Sequence, residues 1–228
     1  MTVVRHGTLG TVAPLIGLIG PIGCGKSTVA GWLEARGAAV IDADKLTREV
    51  MAAGTPVADA IVDRFGEEYR RPDGSLDRVA LGRLVFADPD RLAELESIVH
   101  PAVAGMLEAS IRAADVTGPA APVAVRAADA AVPAAPVAIV LEAIKLVEAG
   151  HAPWCDEIWL VICDPRSQLA RLMGRGMDEA DARQRIAAQS ASLKRWRAAA
   201  TRTIRTDGRP EVTRRSVEAA LAEELARR

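Results

Sequence analysis

Apolar positions along this chain fall into two rhythms. One is short and unbroken, and it ends at glycine, cysteine or an acid. Residues 13–20 ("APLIGLIG"), 38–42 ("AAVID"), 137–142 ("VAIVLE") and 157–163 ("EIWLVIC") are runs of this kind, and each predicts a buried strand. A weaker fifth strand is expected over 201–206, "TRTIRT". The other rhythm spaces apolar side chains three and four apart, as one face of a helix requires. In residues 27–36, "STVAGWLEAR", it places Val29, Ala30, Trp32 and Leu33 on a helix, and Gly37 suits the residue after its end. In 178–197 it selects Ala182, Ile186, Gln189, Leu193 and Trp196 behind the capping candidate Asp178, and the terminal "PEVTRRSVEAALAEELARR" is helical too.

Strand, glycine-rich turn, helix, strand is a βαβ unit, so the expected fold is α/β with a parallel five-stranded sheet. The sheet pattern is interrupted between the second and third strands. Residues 43–136 are too many for a crossover loop and must have structure of their own. "DKLTREVMAAG", "TPVADAIVDRFG", "DRVALGRLVFA" and "PDRLAELESIVHPAVAGMLEASIRAA" read as helices, with a turn at "RPDGSL". Residues 113–136 are a low-complexity Ala/Pro/Val stretch that reads as a flexible insert without chemistry. Residues 1–14 read as a flexible N-terminal extension.

Composition narrows the class. A chain of 228 residues is long enough for one domain with a real core and an inserted subdomain. Its formal charge of −1 gives no field that would draw it to nucleic acid or to an anionic membrane. No apolar run approaches the roughly 20 residues of a membrane span, and "MTVVRHGTLGTVAP" lacks a hydrophobic signal region. The cysteines Cys24, Cys155 and Cys163 are odd in number and have no metal-ligand spacing. Free thiols in a reducing cytoplasm are expected. Arginine outnumbers lysine 25 to 4, so each lysine merits separate inspection.

The chemistry begins at residues 20–28, "GPIGCGKST". Gly20, Gly25, Lys26 and Ser27 fit the spacing of a P-loop, and they lie after a strand and before a helix, as that motif requires. Glycines let successive N–H groups turn inward toward phosphate oxygens, and the helix N-terminus adds partial positive charge. Lys26 then reaches the β- and γ-phosphates, and the Ser27 hydroxyl can ligate Mg²⁺. In "IDAD", residues 41–44, Asp42 and Asp44 stand at a strand end facing the ligand crevice. Either acid can take a proton from a substrate hydroxyl or hold the metal's water shell, and either can simply cap the next helix.

Residues 166–205 hold ten basic and three acidic side chains, a local balance of +7. Much of this is a solvated helix face. Arg171 and Arg175, four apart, are expected to share one helical face of a mobile lid and to clamp a transferring phosphoryl group. Guanine specificity has no support, since neither N-K-x-D nor T-K-x-D occurs. "WLVICD" looks like a Walker B strand, yet Asp164 is followed by proline where a motor ATPase would want a water-activating acid. Small-molecule phosphotransfer is favoured over mechanical hydrolysis.

The stretches "LIGLIGPIGCGKSTVAGWLEARGAAVIDADKLTREV", "RFGEEYRRPDGSLDRVALGRLVFADPDRLAELESIVHPAV", "DEIWLVICDPRSQLARLMGRG" and "RIAAQ" together resemble the dephospho-coenzyme A kinases. The resemblance spans about residues 15–112 and 137–215. It implies a P-loop NTPase core over 15–44 and 137–228, a helical coenzyme-binding part over 45–112, and a helical lid at about 166–200. It also implies transfer of the ATP γ-phosphoryl group to the ribose 3′-hydroxyl of dephospho-CoA, with Mg²⁺. By position Asp44 matches the general base, and Gly23, Cys24, Gly25, Lys26, Ser27 and Thr28 match the ATP loop. Arg175, with Arg171 nearby, matches the lid arginines; His100 and Pro101 match a pair in the helical part, where His100 either packs, caps or touches substrate. A monomer is expected.

Two segments depart from the family pattern. Where the family has Pro-Leu-Leu after the third strand, this chain has Ile144, Lys145 and Leu146, and Lys145 either approaches a coenzyme phosphate or faces solvent. In place of Ile-Asp-Asn it has "IRTDG", residues 204–208, beside the expected base site. Two alternatives therefore stand beside the kinase reading: a P-loop kinase for another hydroxylated metabolite, and a nucleotide-binding regulatory module without turnover.

Overall fold

The computed structural model describes residues 9–117, 125–126 and 136–227. They divide into two units, one formed by residues 1–42 and 110–228 and the other by residues 43–109.

The sheet unit is organised around β1 (Leu15–Ile19), every residue of which is buried. Parallel neighbours flank it, β4 (Ile139–Glu142) on one side and β5 (Glu157–Ile162) on the other. Beyond them lie β2 (Ala39–Asp42), paired with β4, and β6 (Arg202–Arg205), paired with β5. Strands this apolar need cover on both faces, which is why the runs are continuous rather than alternating. On one face Ile16, Leu18, Val40, Val140, Trp159 and Val161 form a common core with α1 (Lys26–Glu34) and α8 (Pro210–Ala226). The helices contribute Val29, Ala30 and Leu33, and Val217, Ala220 and Leu221. Members of a strand are two apart, as the period of a pleated strand dictates. The remaining helices of the unit, α6 (Pro165–Met173) and α7 (Glu179–Ala199), begin at side-chain caps supplied by Asp164 and Asp178.

The five expected strands are present and parallel, and the sheet has a sixth. β3 (Val125–Arg126) pairs antiparallel with β2, giving the order β3-β2-β4-β1-β5-β6. It comes from the stretch read as a flexible insert, and it supplies partners to main-chain groups that β2 would otherwise present at an open edge. Residues 113–117 of the same stretch continue a helix, with Ala114 fully buried; residues 118–124 and 127–135 lie outside the described residues. The expected N-terminal extension is shorter than 14 residues. The Val12 and Ala13 amides both donate to the Asp115 carboxylate at 2.9 Å, and the Pro14 carbonyl accepts from Ile139 N–H at 2.8 Å. Residues 1–8 lie outside the described residues.

The second unit is helical: α2 (Ala43–Val50), α3 (Pro56–Phe65), α4 (Arg78–Ala87) and most of α5 (Pro89–Thr117). Thr55 caps α3 ahead of Pro56, and Asp77 caps α4 by accepting from Val79 and Ala80 amides. The turn at 71–76 closes through Arg71 N–H to Ser75 O at 2.7 Å. Leu46, Ile61, Val62, Leu81 and Val85 are buried. Among the described residues no helix is long and apolar enough to cross a membrane.

Candidate active site

The turn from β1 into α1 is built on glycine for two distinct reasons. Gly20 has φ 145°, and a Cβ there would lie 2.1 Å from the Val161 carbonyl oxygen, so the loop runs directly against β5. Gly25 is the N-cap of α1 at φ 88°, in the left-handed region, and no side chain caps that helix among the described residues. Apart from the Thr28 amide, which donates to the Gly25 carbonyl at 3.1 Å, the first-turn amides of α1 have no carbonyl a turn before them, and the macrodipole makes their end positive. Lys26 opens α1 and is only 8% exposed; its Nζ curls back to donate to the Gly20 carbonyl at 2.8 Å. This closed arrangement of ammonium and amides is a candidate anion cradle.

Ser27, one residue on, donates from Oγ to Glu142 Oε1 at 2.7 Å. Glu142 ends β4, the immediate neighbour of β1, so adjacent strand ends bring a hydroxyl and a carboxylate together. Sequence reasoning missed Glu142. The signal was present, an acid closing the otherwise apolar run "VAIVLE", but nothing in the sequence states which strand lies beside β1. The Walker B likeness drew attention to Asp164 after β5 instead. Asp164 is committed locally: it accepts from Ser167 N at 2.8 Å and Ser167 Oγ at 2.5 Å as the cap of α6. Those hydrogen bonds hold its carboxyl below the ordinary value of 3.8.

Side chains from three elements suspend the outer part of the loop. Ile22 N–H donates to Gln189 Oε1 of α7 at 2.8 Å, and Ile22 O accepts from Gln168 Nε2 of α6 at 2.7 Å. Thr206, just past β6, donates from Oγ1 to the Cys24 carbonyl at 2.7 Å. Arg171 of α6 in turn donates to Thr206 Oγ1 at 3.0 Å and to Thr206 O at 2.5 Å. The departing "IRTDG" segment is thus a brace: Thr206 holds the loop and Arg171, while Asp207 Oδ1 accepts from Asp164 N at 2.7 Å.

The two arginines expected in the lid have different surroundings. Arg171 lies in the last turn of α6, drawn onto Thr206. The helix ends at Met173, and Gly176 at φ 84° turns the chain away, so Arg175 stands beyond the helix and the expected shared helical face does not form. Arg175 is exposed, and its side chain has no hydrogen-bond or ion-pair partner among the described residues. Asp42 is half-buried at the end of β2, and Asp44 is exposed in the first turn of α2, within the helical unit. Both acids are at the positive end of that helix, where a carboxylate is favoured. His100 is exposed, 4.0 Å from Glu96 one turn back, so it does not pack in a core. Lys145 is exposed, whereas the adjacent Leu146 is buried.

The thiols are in three different electrostatic states. Cys163, after β5, donates to Cys24 with the sulfurs 2.9 Å apart. That hydrogen bond, aided by the charges of Lys26 and Arg171 and opposed by burial, draws the Cys24 thiol below its ordinary 9.0. The same bond, and then burial, push Cys163 upward. Cys155 is pushed up to about 12 by burial and the nearby Asp156 charge.

Comparison with known proteins adds an independent line. Residues 14–211 match the family model described as CoaE, dephospho-CoA kinase. A relative named dephospho-CoA kinase from Symbiobacterium thermophilum is 43% identical over 207 residues, which is 90% of this chain and 79% of that protein. The crystal structure of TT1252 from Thermus thermophilus superposes with a TM-score of 0.72 at 30% identity, covering 92% of this chain and 97% of that one. A dephospho-CoA kinase from Campylobacter jejuni shares the fold at 18% identity and a TM-score of 0.64, covering 93% of this chain and 97% of that one.

Proposed function

The chain belongs to the dephospho-CoA kinase family, and we infer its activity from that membership: it transfers the γ-phosphoryl group of ATP to the ribose 3′-hydroxyl of dephospho-CoA, giving coenzyme A and ADP, the last step of coenzyme A biosynthesis. The observation that carries a turnover reading over a passive nucleotide-binding one is the pairing of Ser27 with Glu142 beside the Lys26 cradle.

The donor set suits Mg²⁺. A hydroxyl and a carboxylate 2.7 Å apart are hard oxygen ligands, and Mg²⁺ typically takes one or two such groups together with substrate phosphates and water. When bound, Mg²⁺ supplies neutralisation of charge on the phosphate oxygens. Ser27 would be its ligand, and Glu142 would orient that hydroxyl. Lys26 and the amides of Gly23, Cys24, Gly25, Lys26, Ser27 and Thr28 hold the phosphates. Arg171 belongs to the nucleotide site as well, and the exposed Arg175 is available to neutralise the transferred group. Asp44 takes the proton of the attacking hydroxyl. Little covalent chemistry is required of these groups, because phosphoryl transfer is governed by positioning and charge.

The enzyme works as a cytoplasmic monomer in this reading; its unpaired thiols suit a reducing compartment, and gel filtration tests the oligomeric part. The activity itself is tested with purified protein, ATP, Mg²⁺ and dephospho-CoA, measuring ADP and coenzyme A. A different hydroxylated metabolite phosphorylated with a higher kcat/KM would overturn the substrate. Asp44→Asn should preserve ATP binding and lower kcat by about 10²–10⁴-fold; near-normal kcat would remove Asp44 from the base role.

A further inference from the structure

Nothing in the phosphotransfer chemistry requires two thiols against the phosphate loop, yet the fold puts them there. Cys24 lies within the loop after β1, and Cys163 follows β5, the parallel neighbour of β1. The sulfurs are 2.9 Å apart and both cysteines are free.

We propose that Cys24 and Cys163 form an oxidation site: a hydroperoxide joins them in a reversible disulfide that takes the phosphate loop out of its working geometry. Access is through Cys163. It is half-buried and lines a cavity of about 400 Å³ together with Pro21, Asp164, Gln168 and Gln189, whereas Cys24 is only 1% exposed. Hydrogen peroxide is close to water in size and enters such a space. One sulfur, as thiolate, attacks a peroxide oxygen; the O–O bond breaks, a water leaves, and a sulfenic acid remains. The second thiol then displaces the sulfenic oxygen as water, and the S–S bond forms. In sum two thiols lose two protons and two electrons, and one peroxide becomes two waters. Cys163 is the sulfur the peroxide can reach, and Cys24, next to Lys26, Arg171 and the N-terminus of α1, is the thiol that displaces the sulfenic oxygen.

The bond draws sulfurs now 2.9 Å apart to about 2.05 Å. The displacement falls on a loop already fixed at the Cys24 carbonyl by Thr206 and at Ile22 by two glutamines. A misplacement of about 1 Å in such a site costs up to about 10²-fold in rate. The loss of activity rests on the phosphotransfer reading; the disulfide does not.

The test uses the full chain treated with hydrogen peroxide, and reads intact mass, the cysteine-linked peptides, ATP–Mg²⁺ affinity and phosphotransfer. Expected are a mass loss of about 2 Da, a peptide linking Cys24 to Cys163, weaker ATP binding, a tenfold to hundredfold fall in rate on the scale above, and recovery with dithiothreitol. Cys163→Ser, with Cys163→Ala as the second variant, should keep basal activity, show no 2 Da loss and resist the same treatment. Cys155→Ala should behave as the unmodified protein. Absence of the linked peptide, a link through Cys155, or a linked protein with unchanged ATP affinity would overturn the proposal. If the link forms and ATP binding falls, while reduced protein does not phosphorylate dephospho-CoA, the substrate reading fails and the oxidation site stands.

Discussion

The ends of β4 and β5 are nearly equivalent by topology and opposite in use. Each strand pairs in parallel with β1, and an acid stands at or just past each end, Glu142 and Asp164. Glu142 meets Ser27 Oγ at 2.7 Å, beside the anion cradle. Asp164 turns to its own chain and caps α6. The next residues along the chain decide the difference. After Asp164 comes Pro165, preorganised for a first helical position, so a helix starts at once and its open amides claim the carboxylate. After Glu142 the chain runs through Ala143 and Ile144 without entering a helix, so no such amides compete for it. At these two strand ends, the next residues along the chain decide which acid is turned to Ser27 and which to its own helix.

The largest effect that frames this contrast belongs to the strand between the two ends. Lys26→Ala removes the ammonium of the cradle and is expected to lower phosphotransfer by about 10²–10³-fold or more, measured as ADP release. Glu142→Gln tests the β4 end: kcat should fall by about 10²-fold, with saturation moved to higher Mg²⁺ and thermal stability nearly unchanged. A Glu142→Gln enzyme with normal Mg²⁺ dependence would break the comparison from the active side. Asp164→Ala tests the β5 end with the opposite pattern, a melting temperature lower by about 2–4 °C and a kcat close to normal. The smallest effect is on acid stability. The capped Asp164 carboxyl titrates below its ordinary 3.8, so the stability it contributes is complete above that value and lost as pH falls through the depressed one. Asp164→Asn should erase that part of the acid-unfolding curve while leaving the neutral region nearly unmoved.

Much of the frame was legible because its signals are local. Continuous apolar runs marked four of the five parallel strands, and Asp178 caps its helix where the sequence puts a cap-forming residue. The glycine turn into α1 was legible for the same reason: Gly25, Lys26 and Ser27 are consecutive, and the helix starts where they stand. Glu142 was not legible as the partner of Ser27, since 115 positions separate them and only strand order joins them. Nor was the Thr206 brace. Read in sequence, "IRTDG" was a departure near a base site; in space its hydroxyl lies 2.7 Å from a carbonyl 182 positions away. The Arg171 and Arg175 pair failed as a helical face because Gly176 ends the turn that would have aligned them, and a two-residue shift in a helix end is beyond periodicity to fix. The sixth strand hid in an alanine- and proline-rich stretch whose two paired residues have no pattern of their own.

The sequence by itself determined the βαβ start, the glycine turn within it, the inserted helices and the family. Tertiary structure alone decided which acid faces Ser27, which hydroxyl braces the loop and which two thiols meet. The physical reason is range. Caps, turns and buried runs are settled by forces among residues a few positions apart, whereas the order of parallel strands is settled by how whole elements bury their faces, and only that order brings distant side chains within hydrogen-bonding distance.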